Sequence, residues 1–118
     1  TLDRSSAASD VYKRQGEHPS QMTTGLPARN HLARMCHSLC IAVNYNNGAV
    51  VIKTPPGAAQ YLGSAIDTSG VHTVLGTIAG DDTVLVVCKV GVDGEDLARL
   101  FREMAETGLP AKGLVAVN

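Results

Sequence analysis

Apolar residues do not recur at a fixed spacing until about residue 32. The stretch "TLDRSSAASDVYKRQGEHPSQMTTGLPARN" shows neither a helical period of 3.6 nor a strand period of 2, and it is rich in Ser, Thr, Gly and Pro. That composition predicts a disordered lead or linker over 1–31. Within it, "SSAASDVYKRQ" has the look of an assembly scar rather than native protein and is set aside from the fold. Beyond this point the pattern is at first ambiguous, since Leu32, Met35 and Leu39 would fit a helical face, and then Leu39, Ile41, Val43 and Tyr45 alternate as a strand does. "NYNNG" then places Asn46, Asn47 and Gly48 where a turn needs positive φ, and "AVVIK" resumes extended structure, so a β-hairpin is expected.

"TPPGAAQYLGSAIDTSG" predicts a helix with Thr54 as its cap, prolines in the first turn and Ser69-Gly70 at its end. Ala58, Tyr61, Leu62, Ala65 and Ile66 make an apolar stripe toward the sheet. Gln60, Ser64 and Asp67 run along the other side, with Gly63 leaving room for a close approach. "HTVLGTIA" and "DTVLVVCK" are β-branched runs broken by Gly80-Asp81-Asp82, a second hairpin with acids at its turn. A second helix follows, capped by Asp93 with Asp96 at its third position, apolar at Leu97, Leu100, Phe101 and Met104, and closed by Gly108. The fold class is therefore α+β: a two-layer sandwich, order β-β-α-β-β-α, with both helices on one face of a four-stranded antiparallel sheet. The folded unit is placed at 32–107, with 108–118 a tail that frays or adds a short edge strand.

Composition narrows the functions open to such a fold. At 118 residues the chain makes one domain, and 44% hydrophobic content supplies a modest core. Aromatics are only 3% with no Trp, which removes the stacking platform that single-strand binders use. A formal charge of −1 argues in the same direction, against nucleic-acid binding by this chain alone. Three cysteines, Cys36, Cys40 and Cys88, with no secretory or membrane-spanning apolar run, point to reduced, packed thiols and a cytoplasmic protein. Cys36 and Cys40 around His37 lack two further zinc ligands at closed spacing, so no metal is expected.

"GTIAGDDT", Gly76 to Thr83, carries the candidate chemistry. Asp81 and Asp82 are good turn formers. They are also adjacent carboxylates, which a metal could share or a guanidinium could bridge by paired hydrogen bonds. A catalytic dyad finds no third acid, histidine or nucleophile close by in sequence. Against a single cation the pair leaves surplus negative charge, so a further donor is expected.

"TPPGAAQYLGSAID" followed by "VLGTIAGDDTVLVV" closely resembles the C-terminal domain of the bacterial arginine repressor family, over roughly Leu32 to Met104. The resemblance implies a hexamer of two stacked trimers with L-arginine bound between them as corepressor. Its arginine contacts carry over to Gln60, Asp67, Thr77, Ala79, Asp81 and Asp82, each matching the family's residue type. It implies a non-enzymatic transcriptional repressor of arginine biosynthesis and catabolism genes. Family members read operator DNA through an N-terminal winged helix-turn-helix, for which the lead here is too short, so a fragment is expected and direct DNA binding is not. Arg29 and Arg34 would then lie near the interdomain linker. The alternatives are a small acid-dyad or metal-assisted enzyme and an oligomerisation module indifferent to ligand.

Overall fold

A computed structural model describes residues 25–113, and the statements below concern those residues. The element order is α1 (Leu26–Leu39), β1 (Ala42–Tyr45), β2 (Ala49–Lys53), α2 (Ala59–Thr68), β3 (Val74–Ala79), β4 (Thr83–Cys88) and α3 (Gly94–Thr107). The expected β-β-α-β-β-α series on a four-stranded antiparallel sheet is present, preceded by one more helix. Helix α1 runs across the boundary expected between 31 and 32, because Ala28 shares a buried face with Leu32, Ala33 and Cys36. Pro27 sits in its first turn, where a missing N–H costs nothing. The rest of the expected lead, 1–24 with its scar-like piece, and the end of the tail, 114–118, lie outside the described residues.

Both hairpins form, and the strand order is β1-β2-β4-β3. Strand β4 therefore pairs with β2 in the middle, Val51 opposite Leu85, and places β3 at an edge. Since β2 and β3 are each antiparallel to β4, they run parallel to one another, joined by α2 in a split β-α-β unit. Val43, Val50, Ile52, Val84 and Val86 alternate onto the helix-covered face, while α2 lies over β3 and β4 and α3 over β1 and β2. Helix α1 packs against both of these helices, and Leu32, Leu62, Ile66, Leu97, Phe101 and Met104 are all fully buried between the layers.

Several local details depart from the pattern read off the chain. No asparagine takes positive φ among the described residues. The β1–β2 turn is held instead by the Asn46 side chain, whose Oδ1 accepts from the Gly48 N–H at 3.0 Å. Thr54 does not cap α2: it is buried, its hydroxyl donates to the Pro55 carbonyl at 2.9 Å, and the position before the helix is Ala58 with no side-chain cap. Helix α3 matches expectation at both ends. Asp93 accepts from the Glu95 N–H at 3.1 Å, and Gly108, at φ 72°, donates to the Met104 carbonyl at 2.8 Å. Asp96 faces Arg99 at 3.5 Å rather than completing a capping box.

Candidate functional site

The acidic turn docks onto the start of α2 through its main chain. The Asp81 carbonyl accepts from Gly57 N–H at 3.0 Å and Ala59 N–H at 3.3 Å, and the Asp82 carbonyl accepts from Thr54 N–H at 2.8 Å. These bonds satisfy amides at a helix start that lacks a side-chain cap. The turn thus closes the helix with its backbone, and its two side chains stay exposed.

Helix α2 is rotated relative to the expected stripe. Its buried residues are Ala59, Leu62, Gly63, Ala65 and Ile66, so Ala58 and Tyr61 leave the sheet-facing set. Gly63 is the cause. A Cβ at Gly63 would stand 3.3 Å from the Ala79 Cβ and 3.6 Å from the Thr77 Oγ1, so what approaches this glycine is the domain's own edge strand. Turning Gly63 inward turns Tyr61 outward, where it is 70% exposed. Gln60, Ser64 and Asp67 face solvent as their spacing predicts.

Between this helix face and the turn lies an open cleft of about 620 Å³ lined by Gly57, Gln60, Tyr61, Ser64, Gly80 and Asp81. Of the six residues carried over from the family resemblance, Gln60 and Asp81 line it. Asp67 on α2 and Thr77 on β3 form a second pair: the Thr77 hydroxyl donates to both Asp67 carboxylate oxygens, at 2.9 and 3.0 Å. Partial burial raises the Asp67 carboxyl above its ordinary range, and the Thr77 hydrogen bond pulls it back in part. Ala79 ends β3 against Gly63. Asp82 is not among the residues lining the cleft. Its Oδ1 accepts from the Thr83 hydroxyl at 3.0 Å, and that hydroxyl in turn accepts from the Lys53 amine at 2.9 Å.

One copy of the chain therefore sorts the six residues into a cleft pair, a flanking pair, a packing contact and an acid turned toward Lys53. Among the described residues the ion pairs join Arg99 to Glu95 and Asp96, and neither involves Asp67, Asp81 or Asp82. Asp67, Asp81 and Asp82 are thus three exposed carboxylates that make no ion pair among the described residues. Tyr61 and Gly57 were not read as site residues from the sequence. A stripe centred on Gly63 rather than on Tyr61 is the signal that would have turned the tyrosine toward the cleft.

Elsewhere, Cys36 is fully buried and its thiol is pushed up to about 12, mainly by burial and further by neighbouring Cys40, which leaves it a packing group. His37 Nδ1 lies 2.9 Å from the Ala105 carbonyl and ties α1 to the end of α3. No helix among the described residues is long and apolar enough to cross a membrane. A family model described as the arginine repressor, C-terminal domain, matches residues 36–103, more than half of the 118-residue chain.

Proposed function

The chain belongs to the arginine repressor C-terminal domain family, and on that premise we propose that it is the arginine-sensing and assembly domain of a transcriptional repressor, with L-arginine as corepressor. The observation that carries this reading is the cleft, whose lining brings together an amide, Gln60, and a carboxylate, Asp81, that makes no ion pair among the described residues. A guanidinium offers five N–H donors in a planar fork and fits a carboxylate two bonds at a time. The amide has the acceptor and donors to hold the amino-acid end. Asp67 with Thr77, and Asp82 beyond the turn, extend the acidic edge outside the cleft of a single copy. Their separation favours a ligand shared between copies, each contributing different acids.

Assembly into a trimer and then a hexamer is supported by the other face of the sheet. An antiparallel sheet with one face in water normally alternates apolar with polar residues. Here Val51, Leu85 and Ile78 stand side by side in register on the face away from the helices, next to the Val87–Gly76 pair, and Ile78 is 68% exposed. A contiguous apolar face of this kind marks a contact surface, and a second copy of the same chain is its natural cover. The domain senses and assembles without catalysis, in the cytoplasm. Operator recognition, and through it control of arginine biosynthesis and catabolism genes, falls to a winged helix-turn-helix of the family's type.

Titration calorimetry with L-arginine, L-lysine and L-citrulline, paired with mass measurement of the assembly, tests the reading. Arginine is expected to bind, citrulline to bind at least ~10-fold more weakly because it lacks the charge, and Asp81→Asn to weaken arginine by a similar factor. Glu103→Gln, an exposed change on α3, serves as the control and leaves binding intact. Equal heats for arginine and citrulline would defeat the carboxylate grip. An assembly that forms identically with and without arginine, and takes up none, would mark a ligand-indifferent module instead.

A further inference from the structure

Carboxylates alone are poor at telling one cationic amino acid from another, since an ammonium and a guanidinium both pair with them. The cleft also contains an aromatic ring. Tyr61 lines the wall between Gln60 and Ser64, with Asp81 among the residues of the same cleft. Its ring is 70% exposed, and among the described residues nothing hydrogen-bonds its hydroxyl and no cation covers its face. Tyr45 shows the contrast within the same molecule. There the Arg102 guanidinium lies over the ring, 5.6 Å from its centroid, while donating to the Val43 carbonyl at 2.7 Å. An aromatic face and an oxygen acceptor thus hold a planar cation together on the edge of β1, and Tyr61 and Asp81, both lining the cleft, offer the same two kinds of group.

We propose that Tyr61 is a specificity-determining residue of the cleft, its ring stacking on the planar guanidinium that Asp81 pairs with, so that arginine is preferred over cationic amino acids ending in an ammonium. This rests on the reading of the cleft as an arginine site and adds to it the group that selects among cations. A guanidinium is flat, delocalised and weakly hydrated, so it can lie against a ring while its edge hydrogen-bonds a carboxylate. An ammonium is compact and strongly hydrated and gains less from the ring.

The test uses the whole chain, with calorimetric titrations of L-arginine and L-lysine into the wild type, Tyr61→Leu and Tyr61→Phe, and with the assembly mass measured for each. Exposure of Tyr61 means that both variants fold. Tyr61→Leu is expected to weaken arginine about 3- to 10-fold while changing lysine less than about 2-fold, and Tyr61→Phe to stay within about 2-fold for both. Three results overturn the assignment: Tyr61→Leu binding arginine as the wild type does, arginine and lysine weakening equally, or the loss of affinity tracking a change in assembly mass. A wild type that takes up no arginine is a separate failure, of the cleft reading itself, and removes this inference with it.

Discussion

Helices α2 and α3 both lie over the same sheet, yet they are specified differently. Helix α3 carries its own stop signals, an Asp93 side chain at the start and a left-handed Gly108 at the end. Helix α2 has no side-chain cap, and its first amide, that of Ala59, is closed by the Asp81 carbonyl, which arrives from a turn some twenty residues later in the chain. The difference follows from where each helix is used. A helix that closes on itself can be purely a packing element, and α3 buries Leu97, Ala98, Phe101 and Met104 to that end. A helix closed by a distant turn binds that turn to itself, and this brings Gln60 and Asp81 into the lining of one cleft. Stability and the geometry of the cleft are coupled at α2 and separate at α3.

The sharpest break at α3 is Gly94→Ala. A Cβ at Gly94 would overlap the Asn46 main-chain oxygen and stand 3.0 Å from that of Ala49, and both are backbone atoms that cannot swing aside. A loss of about 3 kcal/mol or more is expected in denaturant unfolding, or failure to fold. A paired measurement then addresses the coupling. Gly57, at φ 82°, donates to Asp81 with open space around its Cα, so Gly57→Ala pays only for backbone strain, about 1–2 kcal/mol, and should weaken arginine binding as the turn shifts. Asp93→Ala removes the α3 cap for about 1 kcal/mol and should leave arginine binding unchanged. Equal effects of the two on binding would dissolve the distinction between the helices.

The smallest effect is electrostatic. Because burial raises the folded-state pKa of Asp67, the native state holds that proton more tightly than the unfolded chain does. Stability contributed by this group is full below the ordinary aspartate range and is lost as pH rises through the raised value. Asp67→Asn should therefore gain slightly at neutral pH, under about 0.5 kcal/mol for so exposed a group, with the gain vanishing in acid. Thermal unfolding of both proteins near pH 7 and near pH 3 measures it. A gain that persists unchanged in acid would remove titration as its source.

Both hairpins, the α3 caps and the acidic turn could be read from the chain, because each depends on residues close in sequence. The rotation of α2 could not. Apolar spacing assigns Tyr61 to the sheet side as readily as Gly63, and what decides between them is how near β3 comes, a contact with Thr77 and Ala79 more than ten residues away. Helix α1 was half legible: Leu32, Met35 and Leu39 marked its second half, while Pro27, Ala28 and the polar residues around them gave too weak a stripe for its first turns.

By itself, the sequence determined element types, the two hairpins and the presence of paired carboxylates at an exposed turn, since propensity, periodicity and turn chemistry act over a few residues. Tertiary structure alone decided that β4 sits beside β2, that the Asp81 backbone closes α2, and that Asp81 and Tyr61 share a cleft while Asp82 turns toward Lys53. Those outcomes depend on which surfaces bury each other across the fold, and no local pattern of residues encodes the choice between near-equal ways of doing so.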